Sequence, residues 1–71
     1  MQLEKIKTAV VETIGLTAAD IASCEADDTL TVNEGRNGRT YVWYFDGVHN
    51  IAADAETGKF LTDEEIEEQF C

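Results

Sequence analysis

Apolar residues recur at helical spacing at Leu3, Ile6, Val10 and Ile14, while Glu4, Lys5, Lys7 and Glu12 fall on the other face. This pattern predicts an amphipathic helix over about Leu3 to Ile14. Gly15 follows the last apolar position and suits the left-handed residue that closes a helix. Thr17-Ala18-Ala19-Asp20 has the form of a capping box with Asp in the usual Glu place, so a short second helix is expected over about Ala18 to Cys24. Ile21 would pin it to the core, and Asp27-Asp28 would end it.

The period then changes from helical to alternating. Thr29 to Glu34 sets Leu30 and Val32 against Thr29, Thr31 and Asn33, which predicts a strand. Tyr41-Val42-Trp43-Tyr44-Phe45 holds the only Trp, both Tyr and one of the three Phe. Such a stretch between two turn signals reads as the central strand of a three-stranded antiparallel meander. The Asn37-Gly38 pair suits a two-residue hairpin loop, which would pair Arg36 with Arg39, Glu34 with Tyr41, Val32 with Trp43 and Leu30 with Phe45. Asp46-Gly47 marks the next turn. A three-residue loop with a left-handed Gly47 would set Ile51 opposite Trp43 and Ala53 opposite Tyr41. The third strand is then about His49 to Asp54. Asp54 to Gly58 forms a turn, and Thr62-Asp63-Glu64-Glu65 is a capping box opening a helix from about Asp63 to Gln69, with Ile66 and Phe70 facing inward.

The expected fold class is α+β: one domain spanning residues 1–71, its meander packed against an N-terminal helix, a short second helix and a C-terminal helix. All helices are expected on the Leu30/Val32/Trp43/Phe45 face. Val42 and Tyr44 would then face solvent as a contact patch, suited to a partner or to a second copy.

Seventy-one residues support only a small core. A buried catalytic cavity would remove much of it, so function is expected at the surface. Fifteen acids against five Lys and Arg give a net charge of −10. This balance disfavours direct nucleic-acid binding and adhesion to an anionic membrane. It suits a basic protein partner, or solubility alone. No apolar run is long enough to span a membrane, and the N-terminus lacks the apolar region of a signal peptide. With Met1 leading, a cytoplasmic chain is expected, with Cys24 and Cys71 as free thiols.

No chemistry-bearing motif stands out. His49 is the only histidine, and neither cysteine has a nucleophile or zinc motif around it. A calcium loop started at Asp54 would put Gly58 and Lys59 at its fifth and sixth positions, which breaks the pattern. The glycines form no phosphate-binding sequence. A non-enzymatic protein without metal or cofactor is therefore expected. The strongest signal is the C-terminal segment, where Asp54, Glu56, Asp63, Glu64, Glu65, Glu67 and Glu68 face only Lys59. A solvated face is the plain reading of such acids. A carboxylate array that imitates nucleic-acid phosphates is the functional one. Glu56, Asp63, Glu64, Glu67 and Glu68 form the candidate contact set, with Tyr44 as an aromatic anchor. Arg36 and Arg39 flank the first turn, for solubility or to meet a partner carboxylate.

Two resemblances bear on function. The run Tyr41-Val42-Trp43-Tyr44-Phe45-Asp46-Gly47, a further strand, then Asp54-Ala55-Glu56-Thr57-Gly58-Lys59-Phe60-Leu61 resembles the C-terminal half of PepSY-type domains, over about Arg39 to Leu61. That resemblance implies a module that binds or inhibits a peptidase or another protein, and it implies no catalytic residues. The family is mostly exported, whereas this chain shows no export signal and adds an acidic helix. In size and charge the chain also resembles the small acidic inhibitors that phages use against host defence, including anti-CRISPR proteins and DNA mimics. That likeness implies an inhibitor of a basic, nucleic-acid-handling protein.

Overall fold

The computed structural model describes residues 3–71. Helix α1 (Leu3–Glu12) is followed by a 3₁₀ turn (Ala18–Asp20) that runs into α2 (Ile21–Ala26). Strands β1 (Leu30–Glu34), β2 (Thr40–Phe45) and β3 (Asn50–Asp54) come next, then helix α3 (Asp63–Phe70). The strands form one antiparallel sheet in the order β1-β2-β3. This is the α+β meander that the hydrophobic pattern predicts.

Local sequence accounts for where the helices begin and end. Past α1, the Gly15 amide donates to the Glu12 carbonyl at 3.1 Å and the Leu16 amide to the Val11 carbonyl at 3.1 Å. This pair of bonds closes a helix through a left-handed residue, here Gly15 at φ +88°. At the start of α3, the Glu65 amide donates to Thr62 Oγ1 at 3.2 Å, and the Thr62 amide donates to Glu65 Oε1 at 3.0 Å. The capping box read from the sequence is formed.

The helices do not share one face of the sheet. Val42 and Tyr44 sit in a core cluster with Ile6, Val10, Val11, Ile21, Leu30 and Ala53, so α1 and α2 cover the side to which they point. Alternation puts Tyr41 and Trp43 on the opposite side. There Phe70 of α3 stacks on Trp43 with ring centroids 4.9 Å apart and meets Tyr41 edge-on at 5.6 Å. The central strand is apolar on both faces because a helical layer covers each of them.

Both strand registers differ from expectation by one residue. Leu30 pairs with Tyr44, Val32 with Val42 and Glu34 with Thr40. Gly35, not Arg36, closes on Arg39, its amide donating at 2.9 Å, so the loop is Arg36-Asn37-Gly38 with Gly38 at φ +82°. This longer loop lets the Arg36 amide reach the Gln69 carbonyl at 3.3 Å and the Asn37 amide reach Gln69 Oε1 at 3.1 Å. The end of α3 thus helps to set the turn. On the other side Ile51 pairs with Tyr44 and Ala53 with Val42. The Asp46 carboxylate accepts from the amides of Val48 at 2.8 Å and His49 at 2.6 Å, which folds the chain around Gly47 and Val48. A slip of one residue exchanges the faces of β2. Val42 and Tyr44 turn inward, and Phe45 becomes half exposed.

Candidate functional site

Helix α3 positions most of the candidate acids. Its inner face is fixed by Ile66, which is 2 % exposed, and by Phe70 against Trp43. The 3.6-residue period then directs Asp63, Glu64, Glu67 and Glu68 outward, and all four are exposed. Glu64, Glu67 and Glu68 line one shallow depression together with Cys71. None of the three has a cationic partner within 4.0 Å among the described residues. Asp63, Glu64 and Glu65 fall in the first turn, where negative charge suits the helix dipole.

Other acids are already committed to the fold. Glu65 serves the cap, and the hydrogen bond from the Thr62 amide lowers its pKa. Asp54 is 7 % exposed. It accepts from Arg39 Nε at 2.7 Å, the Glu56 amide at 2.7 Å and the Thr57 amide at 3.1 Å. The Arg39 hydrogen bond, with those from the two amides, brings its pKa down to about 2. Glu56, in the contact set, is exposed but lies 3.4 Å from Arg39 Nη2. It belongs to the β3 turn and does not line the α3 depression.

The Tyr44 anchor is corrected. Tyr44 is 5 % exposed and Val42 is 0 % exposed, both within the α1 side of the core. Tyr44 donates its hydroxyl to Asp46 Oδ2 at 3.1 Å, and burial raises its pKa. The expected Val42/Tyr44 contact patch, and a dimer through it, are therefore blocked by α1. Among the described residues, the large apolar side chains that are exposed are Val32, Phe45, Val48 and Phe60.

The arginines that flank the first turn act within the chain. Arg36 donates to the Cys71 carbonyl, and Arg39 holds Asp54 and Glu56. His49 Nδ1 lies 3.0 Å from Asp46 Oδ2, in its own turn. The two amides and the ring of this turn hold the Asp46 carboxyl well below the usual range, the His49 amide being the largest influence. Both cysteines are free. Burial raises the Cys24 thiol, which leaves less reactive thiolate. Lys7, placed on the polar face of the first helix, is 8 % exposed and donates to Glu25 Oε2 at 2.8 Å, tying α1 to α2.

The fold and this surface define an acidic α+β protein with a three-stranded meander and an outward carboxylate row on its last helix. No family model matches the chain, and no curated protein or solved structure does. No described helix is long and apolar enough to cross a membrane.

Proposed function

We propose that the chain is a non-enzymatic, cytoplasmic inhibitor that binds the basic surface of a nucleic-acid-handling protein, in the manner of anti-CRISPR proteins and DNA mimics. The observation that carries this reading is the row Glu64, Glu67 and Glu68 on one shallow surface, exposed and without internal cations among the described residues. Such carboxylates are free to replace phosphates in a Lys/Arg groove, where charge pairing speeds encounter and favours the correct partner. Asp63 extends the row at the start of α3, and Glu56 is a peripheral contributor that Arg39 partly neutralises.

The test is capture of host proteins on the tagged chain, with competition by duplex DNA and by salt. The expected result is a nucleic-acid-binding protein released by either competitor and not captured by the Glu64→Lys, Glu67→Lys, Glu68→Lys triple variant. Equal capture of that partner by the triple variant overturns the reading.

The second reading, a PepSY-like module that recognises a peptidase or another protein through its sheet, draws on a different surface. Helices occupy both sheet faces. This reading is therefore left with the sheet edge and the half-exposed Phe45. A partner retained at high salt and lost on Phe45→Ser substitution is its expected signature.

A further inference from the structure

The two edges of the sheet differ. Beyond β3, the Leu61 amide donates to the Ala52 carbonyl at 2.9 Å and the Asp54 amide to the Lys59 carbonyl at 2.8 Å. Ala53 and Phe60 form the bridge between them, so this edge is closed by the chain itself. The β1 edge has no such cover along its second half. Thr29 and Gly35 bond to Phe45 and Arg39. The antiparallel ladder therefore directs the amides and carbonyls of Thr31 and Asn33 toward β2, and those of Val32 and Glu34 away from the sheet. Val32 is 43 % exposed and Glu34 is exposed, whereas Leu30, under α2, is 2 % exposed. Among the described residues, no backbone or side-chain group bonds the outward groups of Val32 or Glu34.

Exposed strand edges are normally blunted with lysine, proline or a bulge. Here the edge carries no lysine, proline or bulge, and its one guarding charge is the Glu34 carboxylate, which repels an acidic strand but not a basic one and has no ionic partner among the described residues. Asp27 and Asp28 are exposed just before β1, also without a partner. A second copy would bring another chain of charge −10 against these acids. An extended segment bearing Lys or Arg meets them favourably. We infer that the β1 edge at Val32 and Glu34 takes up an extended, basic segment of the partner as a fourth strand. Main-chain hydrogen bonds would supply affinity and the neighbouring carboxylates the selection for basic side chains. The basic character of the occupant rests on the function proposed above; its strand pairing rests on the edge alone.

The test is titration of the isotope-labelled chain with a short peptide of alternating lysine and valine, followed through amide chemical shifts and amide exchange. The expected result is slowed exchange and shifted resonances at Val32 and Glu34. N-methylation of one alternate set of peptide residues should abolish binding while methylation of the other set leaves it intact. Val32→Pro should weaken binding about fivefold or more, because the lost donor faces the peptide and not β2. Equal loss with either methylation set, shifts confined to α3, or self-association at β1 without peptide overturns the inference. Equal binding of an uncharged threonine–valine peptide overturns its basic occupant. Peptide pairing at β1 together with unchanged partner capture by the α3 triple variant sinks the proposed function and leaves the edge assignment standing.

Discussion

Gly35→Ala tests the contact that sets the fold's second layer. Gly35 is buried, with no positive φ to explain its identity. A Cβ there would lie 2.7 Å from Tyr41 Cε2, 2.9 Å from Gln69 Oε1 and 3.2 Å from Asn37 Oδ1. Tyr41 has little room to yield. The residue is 5 % exposed, its ring meets Phe70 edge-on, and its hydroxyl accepts from Asn37 Nδ2 at 2.9 Å. Gln69 can rotate away, but its Oε1 then leaves the Asn37 amide. Losing one such hydrogen bond costs about 1 kcal/mol. Disturbing the Tyr41–Phe70 pair adds roughly 0.5–1.5 kcal/mol, so a total near 2 kcal/mol is expected. A chain of this length holds only about 4–10 kcal/mol in all, so the loss is large. Urea unfolding should read it as a midpoint shift of about 1–2 M. Trp43 is the only tryptophan and stacks on Phe70, so its fluorescence should report the loosening of α3 before global unfolding. Gly38→Ala is the control. Nothing lies within 4 Å of its added Cβ, but its φ of +82° makes the cost conformational, about 1 kcal/mol, with Trp43 undisturbed. If Gly35→Ala proves no more destabilising than Gly38→Ala, or leaves the Trp43 signal unchanged, the account of α3 docking is wrong.

Ile66→Ala should cost about 2–4 kcal/mol in urea unfolding, since Ile66 is 2 % exposed and its truncation leaves a cavity under α3; a loss below about 1 kcal/mol would mean that α3 is held by its ends alone. Asp54 sets part of the acid sensitivity. Its pKa is lowered to about 2 in the folded chain, so its stabilisation is present above the ordinary aspartate value and is lost as pH falls from about 4 toward about 2. That stabilisation amounts to about 2 kcal/mol, and the stability gap between the wild-type chain and Asp54→Asn should close over this window. A gap that stays constant with pH would show that Asp54 acts through its turn geometry and not its charge.

The function proposed here places the charge on one helix and the shape on another layer. The Glu64, Glu67 and Glu68 carboxylates can be reversed without touching the core, because Ile66 and Phe70 pack inward and Gln69 carries the contact to the first turn. Affinity and stability should therefore separate by residue: α3 surface changes act on capture, and Gly35 or Ile66 changes act on folding.

Much of the fold was legible in the sequence because its signals are local. The Thr62–Glu65 cap and the Gly15 stop follow from hydrogen-bond chemistry within a few residues, and the three strands and the order of elements from local apolar alternation between turn signals. The outward row Glu64, Glu67 and Glu68 was legible for the same reason, since Ile66 and Phe70 fix which way the helix turns. Tertiary structure decided the facing of β2. Tyr41 to Phe45 is apolar on both sides, so alternation could not tell which side meets α1, and a loop longer by one residue reverses the answer. That loop length depends on Gln69, 32 positions from Asn37, whose side chain holds the Asn37 amide. The same long-range contacts turned Tyr44 from a surface anchor into core, and made Arg36 and Arg39 internal partners of Cys71, Asp54 and Glu56. Helical caps are set within a turn of chain; the register of a strand with two apolar faces is set only when both covering layers are in place.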